Sequence, residues 1–181
     1  MKLICIFFLI GILLGCNKLS PNKNPITKIE IATGGCMRMD QCPAFGLIID
    51  SSLAFKYYGG YKSKLQGYYE GSISQEFWDT LNMKLEKIHY EKLSQKNELV
   101  LDAEQAESII YSHQKKTHIF KVIEGETDGA TKVLRWILDS YQKVQLIKTK
   151  DTIHFDTTFQ SMRPPVPKME QVKFPPPEKH H

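Results

Sequence analysis

The chain has 181 residues, with 24 Lys+Arg against 20 Asp+Glu for a formal net charge of +4, and 41% of its residues are hydrophobic. That length fits one domain of ordinary size with a packed core. The charges are scattered along the chain, which argues against the clustered basic face that a nucleic-acid partner requires.

The first element is an apolar run, Leu3 to Leu14, behind the single cation Lys2. A bilayer-spanning helix needs about 20 apolar residues, so this run is too short to span and has the length of a secretory signal core. Its end, Leu13-Leu14-Gly15-Cys16, resembles a bacterial lipobox, in which cleavage precedes the cysteine and the thiol carries diacylglycerol. Residues 1–15 are therefore expected to be a signal peptide, Cys16 the lipidated residue and 16–25 the lipid anchor and tether. Buried acyl chains contribute about 0.8 kcal/mol per methylene, and one chain alone anchors marginally, so a triacylated cysteine holds firmly. Asn17 follows the cysteine with no acidic run nearby. Similarity to lipoprotein sorting rules then implies the bacterial cell envelope, on the outer membrane facing the periplasm.

The domain opens on Ile26-Thr-Lys-Ile-Glu-Ile-Ala, where Ile29 and Ile31 alternate with Lys28 and Glu30, the pattern of a half-buried strand. Cys36 and Cys42 come next. With Cys5 lost in the signal and Cys16 lipidated, they are the remaining thiols, and an oxidising compartment favours their pairing. So small a loop is worth about 2 kcal/mol in the chain-entropy treatment. A redox pair normally has C-x-x-C spacing, and a metal site needs two further ligands, so a structural disulfide is the favoured reading.

Ala44–Asp50, Leu53–Tyr58 and Gln66–Ile73 read as three further strands, separated by Asp50-Ser51-Ser52 and by a connection opening on Gly59-Gly60. Ser74 reads as an N-cap, with Phe77, Leu81, Leu85 and Ile88 on one helical face and Trp78 widening it. Residues 89–105 read as a polar connection. Glu107–His113 and His118–Ile123 read as a hairpin, and Thr127 or Asp128 caps a second helix with Val133, Leu134, Ile137, Tyr141 and Val144 on its buried stripe. From Asp151 the character changes, and six of the nine prolines fall between Pro164 and Pro177. Proline lacks an amide donor, so residues 151–181 are expected to form an extended or flexible tail outside the sheet.

The expected fold is α+β, a single domain over 26–150 with a mainly antiparallel sheet of about six strands and two helices packed on one face. Gly35-Cys36, Cys42-Pro43-Ala44-Phe45, Tyr58-Gly59, Gly67-x-Tyr69-x-Gly71 and Ile73-Ser74-x-x-Phe77 resemble the family of domain of unknown function 6438. The likeness runs from about Ile26 to Val144 and is strongest before Leu93. It implies an exported or lipoprotein address and brings no catalytic residue, since the family has no established activity. The cysteine spacing is longer than the family pattern, and Glu124-Gly-Glu-Thr-Asp-Gly129 stands where a glycine- and proline-containing step is expected.

Candidate chemistry is sparse. Neither Gly-x-Ser-x-Gly, nor His-Glu-x-x-His, nor a phosphate-cradling glycine loop occurs. His113 and His118 flank the hairpin turn but supply two ligands at most, and His89 with Glu91 are loop neighbours without an acid–base geometry. Aromatic residues concentrate at Tyr57, Tyr58, Tyr61, Tyr68 and Tyr69, where alternation sends one of each adjacent pair inward and one outward. Outward tyrosines form either a stabilising cross-strand pair or a platform for a glycan or protein partner. The expected function is a non-catalytic binding or structural module of the envelope, without cofactor or metal. The alternatives are an inhibitor of a secreted hydrolase and an enzyme with an unrecognised site.

Overall fold

The computed structural model describes residues 25–34, 42–60, 62–93, 103–113 and 115–158. Four strands lead the chain: β1 (Ile26–Gly34), β2 (Phe45–Asp50), β3 (Ala54–Gly59) and β4 (Gly67–Ser72). Helix α1 (Gln75–Lys87) follows, then the hairpin β5 (Gln105–Ser112) and β6 (Lys116–Val122), helix α2 (Gly129–Leu138) and a short β7 (Ile147–Thr149). All pairings are antiparallel, in the order β6-β5-β1-β2-β3-β4-β7. The α+β class holds, and the sheet has seven strands rather than six. The seventh is a three-residue strand, too short for alternation to be visible in sequence.

The helices start where the capping chemistry places them. Ser74 accepts the Phe77 amide at 3.1 Å, and Lys84 and Lys87 occupy the last turn of α1, at the negative end of its dipole. Asp128 accepts the Thr131 amide at 3.0 Å to open α2. Lys121 lies 2.8 Å from the Asp128 carboxylate, and that contact holds its carboxyl down at about 2. The stripe expected to continue the second helix to Val144 instead tightens into a 3-10 turn over Asp139–Lys143.

The strand pairing divides the sheet into two faces. Ile29, Ile31, Leu47, Ile49, Phe55, Tyr57, Ile110 and Ile119 lie on the inner face and are buried in one cluster with Trp78, Leu81 and Leu85 of α1 and Leu134, Ile137 and Leu138 of α2. Two glycines are set by close approach to this layer. A β-carbon on Gly59 would sit 1.6 Å from the Leu65 carbonyl oxygen, and one on Gly71 would sit 2.7 Å from that of Gln145. Among the described residues, no helix is long and apolar enough to cross a membrane.

Candidate functional site

The outer face carries Lys28, Glu30 and Ala32 of β1, Gly46 and Ile48 of β2, Lys56 and Tyr58 of β3, Tyr68 and Glu70 of β4, and Glu107, Ile109 and Tyr111 of β5. Alternation reads such residues as solvent-facing, yet Glu30 is 1% exposed and Glu107 is fully buried. Burying a carboxylate is unfavourable unless it is paired and hydrogen-bonded. Here the partners come from neighbouring residues of β1 and β5 and from the segment after β7.

Glu30 uses both oxygens. Its Oε1 accepts from Lys28 Nζ at 2.7 Å and from the Tyr111 hydroxyl at 3.2 Å, and its Oε2 accepts the Asp156 main-chain amide at 2.7 Å. Glu107 Oε2 accepts the Thr158 amide at 2.5 Å and the Thr158 hydroxyl at 2.9 Å. Asp156 in turn accepts from the Tyr111 hydroxyl at 2.6 Å and from Lys116 Nζ at 2.9 Å. The Tyr111 hydrogen bond, then Lys116, holds the Asp156 carboxyl below its usual range. Burial first, then Asp156, pushes the Tyr111 hydroxyl well above the ordinary tyrosine range. Lys28 and Lys116 also lie over the Tyr111 ring, 3.9 and 4.9 Å from its centre.

The segment 151–158 thus belongs with the folded domain. Ile153 and Thr157 are buried while Thr152, His154, Asp156 and Thr158 are exposed. The expectation that the chain leaves the domain at Asp151 is corrected as far as Thr158. The proline clusters of the expected tail lie outside the described residues.

The expected aromatic site divides between the faces. Tyr57 is fully buried, so it is a core residue rather than part of a binding surface. It stacks on Tyr141 at 4.9 Å and meets Tyr69 edge-on at 5.9 Å, and burial pushes its hydroxyl up to about 12. Tyr69 is therefore an inner-face residue, half-buried against the core. Tyr58 and Tyr68 form the outer pair, directly opposite one another with ring centres 4.8 Å apart. Burial, then the Tyr58 neighbour, raises the Tyr68 hydroxyl. Next to this pair the outer face carries the Lys56–Glu70 ion pair and Ile147, which is 70% exposed. A surface hollow lined by Glu70, Ser72, Gln145, Ile147 and Thr149 lies at the β4–β7 edge. Tyr61, Cys16 and Cys36 lie outside the described residues; Cys42 is half-buried before β2.

The weaker candidates are not brought together. His118 stands opposite Ile109 in the ladder, whereas His113 follows the end of β5, so the two do not face each other across it. His89 is exposed in a left-handed backbone conformation, and Glu91 receives the Tyr90 hydroxyl at 3.4 Å. Sequence reading missed Glu30 and Glu107. The available signal was the period-two run Ile153-x-Phe155-x-Thr157, which marks an extended segment with one face to bury. Glu30, with both oxygens engaged, is built to hold a main chain rather than to move a proton.

No curated protein matches this chain. The chain belongs to the family described as Domain of unknown function (DUF6438), which matches residues 27–145.

Proposed function

We propose that this family member is a lipid-anchored protein of the bacterial cell envelope, held by Cys16 on the outer membrane and acting by binding rather than catalysis. The observation that carries the binding reading is the Tyr58–Tyr68 pair, set across adjacent strands on the part of the outer face that also presents Ile147. Tyrosine gives a rigid apolar face with a polar tip, suited to a protein or glycan surface. The anchoring reading is supported by the run Leu3–Leu14 ending in Leu-Leu-Gly-Cys16. The same reading pairs Cys36 with Cys42, supported by the disulfide-bonded state of Cys42. It also takes both helices as the cover of the inner face, which leaves the outer face for partners, supported by their shared core cluster.

The test is photo-crosslinking in intact cells from a probe placed at Lys56, followed by capture of the protein with its adducts. A discrete adduct is expected, and Tyr58→Ala with Tyr68→Ala should abolish it. A cross-strand aromatic pair is worth roughly 0.2–1 kcal/mol, so the double variant stays folded. An adduct unchanged in that variant removes the tyrosines from the function.

A further inference from the structure

Antiparallel register lays the outer face out in rows. One row runs Gly46, Tyr58, Tyr68, Thr149 across β2, β3, β4 and β7, and the next runs Ile48, Lys56, Glu70, Ile147. Exposure along these rows changes at β3. Ile109, Glu30, Ala32, Gly46 and Ile48, on the same face of β5, β1 and β2, are buried. Tyr58, Tyr68 and Thr149 are half-exposed, and Glu70 and Ile147 are exposed. The opening is three strands wide at about 4.8 Å each and at most six residues long at about 3.3 Å per residue, so it covers no more than about 300 Å².

A standard protein interface buries about 800 Å² on each partner, well beyond this opening. An extended peptide added at a sheet edge is held by main-chain ladder bonds, and the edge strand here, β7, has three residues. A smaller ligand fits better. The hollow beside the opening, at the β4–β7 edge, has a volume of about 730 Å³. Small-molecule sites commonly occupy about 300–1,000 Å³.

The opening is neutral and chemically mixed. Lys56 and Glu70 pair at 3.8 Å, so their charges cancel. Lys148 alternates to the inner face, where its ammonium end lies over Gly67. Glu70 accepts hydrogen bonds, Lys56 donates them, and the Ser72 and Thr149 hydroxyls and the Gln145 amide do both. The Tyr58 and Tyr68 rings and Ile147 supply apolar surface between these groups. A sugar ring has the matching make-up, an apolar face of C–H bonds rimmed by hydroxyls that donate and accept.

We infer, on the reading that the tyrosine pair is a binding surface, that this opening takes a neutral oligosaccharide. One sugar lies against the Tyr58–Tyr68 pair and the next at the β4–β7 hollow.

Titration of the full chain with tetra-N-acetylchitotetraose, cellotetraose and maltotetraose, followed by amide NMR shifts, tests this. At least one should bind with a Kd below about 10 mM and move the amides of Tyr58, Tyr68 and Thr149, while those of Ile31 and Ile110 stay. Tyr58→Ala with Tyr68→Ala should weaken that binding roughly tenfold, and Glu70→Ala should do the same. Glu70→Ala gives up only a surface ion pair, so it keeps the test open if the double variant fails to fold. Tetragalacturonate, an anionic chain of the same length, should bind no better. Absence of binding by all three neutral probes, binding indifferent to both variants, or tighter binding of tetragalacturonate each overturns the oligosaccharide. The Lys56 photo-crosslink separates this from the binding reading itself. A tyrosine-dependent adduct that is a polypeptide overturns the oligosaccharide while the binding surface stands; a tyrosine-dependent glycan adduct supports both.

Discussion

Two glycines and one aspartate make the residue-scale case. The family-like pattern Tyr58-Gly59 and Gly67-x-Tyr69-x-Gly71 was visible in the sequence, but its cause was not, because the crowding comes from distant backbone. At Gly59 any side chain meets the Leu65 carbonyl at 1.6 Å, and a carbonyl held by Ser63 and Tyr57 cannot swing away. Overpacking typically costs about 1–3 kcal/mol and more where backbone must move, so Gly59→Ala should lower stability by about 3 kcal/mol in urea titration. An unchanged midpoint contradicts the close approach. Asp128 makes a pH-dependent contribution. Its carboxyl, held near 2 by Lys121 and the α2 cap, lies below the ordinary 3.8. The stabilisation is therefore complete above about pH 4 and is lost as pH falls towards 2. Asp128→Ala should destabilise by about 1 kcal/mol at pH 7, the lower part of the capping range because the side chain is 43% exposed. The gap in Tm between wild type and variant should narrow as pH falls from about 4 through 2; a constant gap assigns the loss to something other than charge.

At the scale of elements, caps and apolar periodicity made four strands, the hairpin and both helix starts legible, since each is a local signal. The segment after β7 was not legible as part of the domain. Its alternation of Ile153, Phe155 and Thr157 is brief, and the proline clusters beyond it dominate the composition. Its partners, Glu30 and Glu107, lie 126 and 51 residues away in sequence, beyond any local pattern. Two truncations isolate its energetic weight. A chain lacking residues 152–181 should be less stable than one lacking 159–181 by about 2–4 kcal/mol. That range reflects two buried carboxylates, Glu30 and Glu107, each losing its donors from the segment at about 1–2 kcal/mol. Equal melting temperatures for the two truncations show that the segment contributes nothing to the fold.

For the whole molecule, the α+β class was legible in the sequence, while the strand order needed the structure. Nothing local tells β1 that its neighbours are β2 and β5, because Ile29 pairs with Ile110 as well as with Ile49. The outer-face carboxylates follow from the same blindness: Glu30 looks like the polar half of an alternating strand until the returning chain covers it. The anchoring reading is tested on the intact protein in cells. Cys16→Ser should abolish incorporation of an alkyne fatty acid and move the protein from the membrane pellet to the soluble fraction. Retained label or unchanged fractionation refutes lipidation at this residue.

The interior position of β1, between β5 and β2, sets an order on folding. β1 to β4 form a meander of sequence neighbours and can assemble as soon as Ser72 is available. The other flank of β1, nine residues rich in isoleucine, waits for β5, which begins at Gln105. Until then the partly folded chain presents a long apolar edge with unpaired amides and carbonyls, the kind of template that recruits a second chain. Closing the intervening loop is the slow, non-local step. Refolding yield should therefore fall with protein concentration, and a helper that shields this one flank until β5 arrives would restore it.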